Sequence, residues 1–187
     1  LGRYQTTLEM TPTERCAIFR FSFPQDQTSR VIIDSFEGES HIQIHPNQQT
    51  LTGYTRSNSG GVPEGFACYF YARFDRPIAG CGTFQSKETH EGEQQRTGER
   101  VGGYVELDGA TVNMRIGTSF ISIEQAKQNL ESELGNRPFD VIRLETERLW
   151  QEMLNRVHIE DATETQNKTF YTSLYRSVLF PRFWHEY

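Results

Sequence analysis

The chain has 187 residues, of which 35% are hydrophobic and 24% charged, with a formal net charge of −6 and a pI near 5.4. The negative charge argues against a nucleic-acid or anionic-membrane partner. No apolar run approaches the roughly 18 residues of a membrane-spanning helix, so we expect one large domain or two small ones and no membrane span.

The first 118 residues or so alternate between apolar and polar side chains, as strands with one buried face do. The alternation is clearest around Phe19 and Phe21, around Ile42 and Ile44, and around Phe70. Segments 101–107 and 111–118 flank Asp108-Gly109, which predicts a hairpin. About eight such strands, broken by turns, imply an antiparallel two-sheet β-sandwich.

Two polar segments interrupt this pattern. Residues 56–65 and 85–100 contain few apolar side chains, and we predict that both are solvated loops.

The hydrophobic period changes from two to about 3.6 at Ser122. Ser122 and Gln125 fit a capping box, and Gly135 is expected to end this first helix. Pro138 opens a second helix, whose apolar stripe covers residues 139–157. Strands followed by helices predict an α+β fold with segregated layers.

A third helix is predicted from Thr163 to Phe180, because Pro181 disfavours a helical conformation in the residue before it. Its apolar and aromatic face is wider than a surface helix needs, so it requires a partner surface. We predict that the following residues form a domain interface: Phe170, Tyr171, Leu174, Tyr175 and Trp184.

Few side chains suggest chemistry. The three cysteines lie far apart in sequence, which leaves two alternatives: a disulfide between Cys68 and Cys81, or buried free thiols. His41 and His45 share one face of a predicted strand, but no third ligand converges with them, which favours a polar surface over a metal site. No pair of carboxylates stands out from the many acidic residues, so the sequence identifies no catalytic residue and no metal site.

Three stretches resemble a known enzyme family. Residues 115–131 read RIGTSFISIEQAKQNLE, residues 70–78 read FYARFDRPI, and residues 169–176 read TFYTSLYR. They are similar to the patterns G-x-S-F-x-S-x-E-x-A-x-x-N-L-E, Y-F-x-A-x-F-S-x-P-F and T-F-Y-T-A-L-Y-H of family-92 glycoside hydrolases. The resemblance runs over nearly the whole chain, from about Leu1 to Pro181.

This resemblance implies a calcium-dependent, exo-acting α-mannosidase that inverts configuration and acts on terminal α-mannosides of glycans. It also implies three parts: an N-terminally truncated β-sandwich (1–120), a helical linker (121–160) and the first helix of an (α/α) toroid (161–187). The acid, the base and the calcium ligands of the family lie in the toroid, beyond the equivalent of Tyr187. We therefore expect this chain alone to be inactive, with the toroid as its partner in the same polypeptide.

The C-terminal segment of the chain leads, in the family, toward the sugar-binding face. The resemblance thus places three residues near the substrate, although this sequence lacks the F-S-D motif and glycine-bearing turn that the family often has there. These residues are Arg182, His185 and Glu186.

A periplasmic or extracellular location is implied by the same resemblance. The chain begins at Leu1 rather than Met and carries no signal peptide, so we expect a processed or truncated product. The alternative function is a stand-alone carbohydrate-binding or adhesion sandwich without catalysis. The wide apolar face of the third helix argues against that alternative.

Overall fold

The computed structural model describes residues 1–179 and 185–186. These form two compact units, Leu1–Phe139 and Asp140–Tyr187. The first unit contains two antiparallel sheets and one helix, and the second contains two helices, which confirms the α+β class and the two-sheet sandwich. The three-part division made from the sequence stays a prediction.

The first unit contributes every strand found within the described residues. The strands are β1 (Thr7–Pro12), β2 (Cys16–Ser22), β3 (Ser29–Asp34), β4 (Glu39–His45), β5 (Thr50–Thr55), β6 (Cys68–Phe74), β7 (Ile78–Gln85), β8 (Glu88–Glu91), β9 (Gln95–Glu99), β10 (Val101–Leu107) and β11 (Thr111–Ser119). The seven-stranded sheet has the order β1-β2-β11-β6-β5-β4-β9, and the four-stranded sheet has the order β3-β10-β7-β8.

The core lies between the inner faces of the two sheets. Ile42 and Leu51 of the seven-stranded sheet and Val101 and Val105 of the four-stranded sheet are fully buried there. The predicted period of two on β4 and β6 is therefore confirmed, because alternate residues of a strand face the same side of the sheet.

The prediction of a hairpin at Asp108-Gly109 is wrong. β10 belongs to the four-stranded sheet and β11 to the seven-stranded sheet, so the two strands do not pair. Gly109 has φ +97°, and its carbonyl accepts a hydrogen bond of 2.8 Å from the Ser29 hydroxyl. The connection thus crosses from one sheet to the other. An Asp-Gly turn can join two strands of different sheets as readily as two strands of a hairpin.

The polar segment 85–100 is not a loop. It contains β8, which pairs with β7, and β9, which pairs with β4. Both are edge strands, and an edge strand exposed to solvent can be polar on both faces. The other polar segment, 56–65, contains no strand or helix, as predicted.

Helix α1 (Ile123–Glu133) packs on the outer face of the seven-stranded sheet. At Gly117 of β11 a Cβ atom would lie 2.3 Å from the carbonyl oxygen of Ala126, so only glycine allows the helix this close. Ile18 of β2 is fully buried on the same face, which corrects the prediction that β2 has one buried face.

The ends of α1 follow the sequence signals in part. The Ser122 hydroxyl accepts a hydrogen bond of 3.1 Å from the Gln125 amide, but the Gln125 side chain donates to Asn129 rather than closing the box. Gly135 has φ +53°, and its amide donates to Leu130, which ends the helix as predicted.

The second unit contains α2 (Phe139–Leu154, continuing from the first unit) and α3 (Glu164–Ser177). α2 starts directly after Pro138 as predicted, but ends three residues before Val157. α3 stops at Ser177, because Val178 and Leu179 form tighter i→i−3 hydrogen bonds; Phe180, the predicted end, lies outside the described residues. None of the helices described is long and apolar enough to cross a membrane.

The described cysteines are all free thiols. Cys68 lies on β6 of one sheet and Cys81 on β7 of the other, and no disulfide joins them. Of the two alternatives left by the sequence, the structure therefore has free thiols, but only Cys16 is buried; Cys68 and Cys81 are partly exposed.

Candidate functional site

Four of the predicted interface residues, Phe170, Tyr171, Leu174 and Tyr175, lie on α3. Thr163 and Gln166 form a full capping box at its start. Tyr175 packs against Trp150 of α2, with ring centroids 4.7 Å apart, and the Tyr171 hydroxyl donates to the Val157 carbonyl at 3.1 Å. The aromatic residues of α3 therefore hold the two helices of the second unit together.

Much of the apolar surface of this unit stays accessible. No residue of α3 is buried; Tyr175 is 39% exposed, and Leu149 of α2 is 58% exposed. A shallow cleft of about 460 Å³ lies between the two helices, beside Leu154 and Tyr171. Large accessible apolar surfaces of this kind mark interaction sites. The role of Phe170, Tyr171, Leu174 and Tyr175 as a domain interface stays a prediction.

The C-terminal segment is described only in part. Arg182 and Trp184 lie outside the described residues. His185 is exposed and Glu186 is partly buried. Their predicted position near a substrate stays a prediction.

A buried polar junction, which no sequence pattern predicts, connects α1 to the loop between β1 and β2. One Glu133 oxygen accepts hydrogen bonds from the Thr13 hydroxyl and the Arg15 amide, and the other lies 3.3 Å from the Arg15 guanidinium. Both charged side chains are only 10% exposed. Burial, with the Glu133 charge nearby, raises the pKa of the Cys16 thiol far above its usual range. This thiol is therefore protonated and unreactive at neutral pH.

An aromatic cluster lies on the outer face of β4, β5 and β6. The rings of His41 and Tyr54 stack at 5.8 Å, and Tyr69 meets Tyr54 edge-on at 5.9 Å. Glu39 accepts hydrogen bonds from Arg56 and Tyr54, and these bonds lower the pKa of its carboxyl. The alternation of β6 predicts that Tyr69 faces outward, but only the strand register places it beside Tyr54.

His41 belongs to this cluster. Its Nδ1 atom lies 2.7 Å from the Thr97 hydroxyl, and burial lowers the pKa of the ring. Within residues 1–179 and 185–186, no three His, Cys, Asp or Glu side chains are grouped so that they could hold a metal ion.

Two family descriptions match the chain, one for each part of it. Residues 1–119 match the glycosyl hydrolase family 92 N-terminal domain, and residues 125–187 match the glycosyl hydrolase family 92 catalytic domain. The boundary between the two matches falls at the start of α1.

Solved structures show the same similarity. The family GH92 inverting mannosidase BT2199 of Bacteroides thetaiotaomicron VPI-5482 is 34% identical over 97% of this chain, with a TM-score of 0.92. The family GH92 α-mannosidase BT3965 of the same species is 26% identical over the whole chain, with a TM-score of 0.86. The latter has also been solved in complex with mannoimidazole.

A curated relative from Arthroderma benhamiae, an uncharacterized secreted glycosidase, is 25% identical over 93% of this chain. The chain spans only 25–27% of the length of these three relatives. It covers the β-sandwich and the first part of the catalytic domain, and it belongs to glycoside hydrolase family 92.

Proposed function

We propose that the longer protein containing this chain is an exo-acting α-mannosidase, which releases terminal α-mannose from glycans with inversion of configuration. One observation carries the proposal: the 34% identity and TM-score of 0.92 to an enzyme described as an inverting mannosidase. The mannoimidazole complex of the second relative supports a mannoside as the ligand of that protein. We carry the same ligand class over to this chain.

The 187-residue chain supplies the β-sandwich and the adjoining helices of that enzyme and has no hydrolytic activity of its own. Direct attack by water on a glycoside requires two carboxyl groups about 6.5–9.5 Å apart, one as acid and one as base. Two carboxylates of the described structure, Glu133 and Glu39, are bonded to arginine and to hydroxyl groups. Paired in this way, neither is placed to protonate a leaving group, so we assign both catalytic carboxyls to the rest of the longer protein.

Calcium dependence is part of the proposal for the longer protein only. Calcium takes six to eight oxygen ligands at about 2.3–2.6 Å. The described residues do not fit this requirement, because no three acidic or histidine side chains converge among them. We therefore assign the calcium ligands to the rest of the longer protein.

A periplasmic or extracellular location is proposed as well. It is supported by the relative described as a secreted glycosidase.

The alternative of a stand-alone binding or adhesion sandwich is less well supported. The match of residues 125–187 to a catalytic domain connects the sandwich to a hydrolase rather than to a binding module.

The longer protein tests the proposal. It should release mannose from α-mannosides, lose this activity on addition of a chelator and regain it with calcium, and give the β-anomer as the first product by NMR. The purified 187-residue chain is the matched control and should release none. Retention of the α-configuration would contradict the proposed inversion, and mannose release by the short chain would contradict the assignment of the carboxyl groups.

A further inference from the structure

The outer face of the four-stranded sheet carries a cleft of about 570 Å³, within the range of small-ligand sites. The helix α1 packs on the other sheet, so it does not cover this face. Side chains from each of the four strands line the cleft, and the strand register places Tyr104 of β10 between Ile32 of β3 and Gly82 of β7.

Glycines shape the floor of this cleft. A Cβ atom at Gly82 would lie 2.6 Å from the Tyr104 ring, and one at Gly102 would lie 2.1 Å from the Phe84 ring. The two aromatic side chains therefore lie across the sheet instead of standing away from it. This arrangement leaves a shallow, partly aromatic floor that a larger residue at either glycine would remove.

Polar groups without partners point into the cleft. Tyr104 is only 8% exposed, yet among the described residues its hydroxyl has no hydrogen-bond partner. The Glu91 carboxylate and the Thr89 hydroxyl, both on β8, also lack partners within this part of the chain. These three groups line the open cleft, so a bound ligand could form hydrogen bonds with each of them.

The charges that line this first cleft disfavour an anion. Arg30 forms an ion pair with Glu106 and lies 4.9 Å from the centre of the Tyr104 ring. With Arg30 neutralised by Glu106, Glu91 remains as a free negative charge. Burial, together with the Glu91 charge, raises the pKa of Tyr104, so its hydroxyl remains a hydrogen-bond donor at neutral pH.

A second cleft of about 340 Å³ shares Phe84 with the first and includes Phe36. Phe36 is 72% exposed and has φ +67°, which is rare for a bulky residue. Its amide donates to the Asp34 carboxylate at 2.9 Å, which holds the turn in place. Backbone strain of this kind often accompanies a ligand-binding role.

We propose that the two clefts, which share Phe84, together form a non-catalytic binding site for a neutral oligosaccharide. Tyr104 lies in the first cleft and Phe36 in the second. Sugars present both hydroxyl groups and an apolar C–H face. The hydroxyl groups suit the donor and acceptors of Tyr104, Glu91 and Thr89, and the C–H face suits the rings of Phe84 and Phe36. The choice of an α-mannoside as the sugar rests on the proposed function; the site itself rests on the cleft.

The site would hold a mannose-rich polysaccharide beside the enzyme while the catalytic domain removes terminal residues. Such a site raises the local concentration of chain ends without taking part in the reaction.

The 187-residue chain can be tested directly by affinity electrophoresis in gels containing α-mannan, and by calorimetry with linear α-mannotriose. Tyr104→Phe removes one hydroxyl, and Glu91→Gln removes one charged acceptor; we expect each to weaken binding about tenfold. Phe36→Ala should weaken it as well. Glu88→Gln, which makes the same charge change on the same strand but outside the cleft, should bind like the parent chain. Circular dichroism checks that each variant is folded.

The outcomes are distinct. Equal binding by all variants, or no binding to mannan, would overturn the site, whereas the mannosidase activity of the longer protein would be unaffected. Binding to xylan or dextran in place of mannan would overturn the choice of mannose. If polylysine in the gel retained the chain and mannan did not, the cleft would select cations, and the proposal would be overturned. Mannan binding by a longer protein that releases no mannose would count against the proposed function and leave this site intact.

Discussion

The contact between α1 and β11 gives a sharp test of the fold. Replacement of Gly117 by alanine would place a methyl group 2.3 Å from the Ala126 carbonyl oxygen and 2.9 Å from the Leu130 Cβ atom. Ordinary contacts of this kind require about 3.4 Å or more, so α1 would have to move away from the sheet by about 1 Å. The first obstacle is a backbone carbonyl, which cannot rotate away as a flexible side chain could.

The expected cost follows from this geometry. Overpacking of a well-packed site costs about 1–3 kcal/mol. The upper end applies here, because the displaced helix also loosens the packing of Leu130, which is fully buried. A loss of about 3 kcal/mol corresponds to a fall of about 6–12 °C in Tm for a protein of this size.

Thermal unfolding followed by circular dichroism measures this effect. Gly2→Ala is the matched control, because a Cβ atom at Gly2 meets nothing within 4 Å. We expect this control to change Tm little. An unchanged or raised Tm for Gly117→Ala would show that α1 does not lie on β11 as described, and would refute the reasoning.

Further predictions concern the polar and thiol groups. Glu133→Gln breaks a buried ion pair and should lower the free energy of unfolding by about 3 kcal/mol, measured by urea titration against the exposed control Glu124→Gln. Burial lowers the pKa of His41 in the folded state, so the unfolded state binds more protons. The free energy of unfolding should therefore fall as the pH drops below about 6.5. His41→Gln should make the free energy of unfolding less dependent on pH, as measured by unfolding curves at pH 5 to 8. A thiol assay without reductant should find three free thiols after denaturation, with Cys16 unreactive before it; one thiol would contradict the absence of a disulfide. In the longer protein, Trp184→Ala should reduce stability or activity, and no change in either would mean that this segment is a passive connector.

Several features could be predicted from local sequence because local physics decides them. The alternation on β4 and β6, the Ser122 cap and the stop at Gly135 each depend on neighbouring residues alone. Where a sequence signal fits two tertiary arrangements, the prediction failed. Asp108-Gly109 suits both a hairpin and a crossing between sheets, and the polar segment 85–100 suits both a loop and a pair of edge strands.

The candidate sites show the same limit. Motif resemblance identified the family, because residues 115–131 and 169–176 keep their pattern along the chain. By contrast, the cleft around Tyr104 joins residues far apart in sequence, such as Ile32 and Glu91. No spacing along the chain reveals such a group, because only strand pairing brings its members together.

The sequence by itself determined the buried faces of β4 and β6, where the helices begin, and which family the chain belongs to. Only the tertiary structure decided which strands pair, that Ile18 is buried on the outer face of the seven-stranded sheet, and that Tyr104 lies flat over Gly82. The physical reason is that hydrophobic period and capping are set over a few neighbouring residues, whereas sheet order and the contacts across a face depend on free energies summed over the whole core.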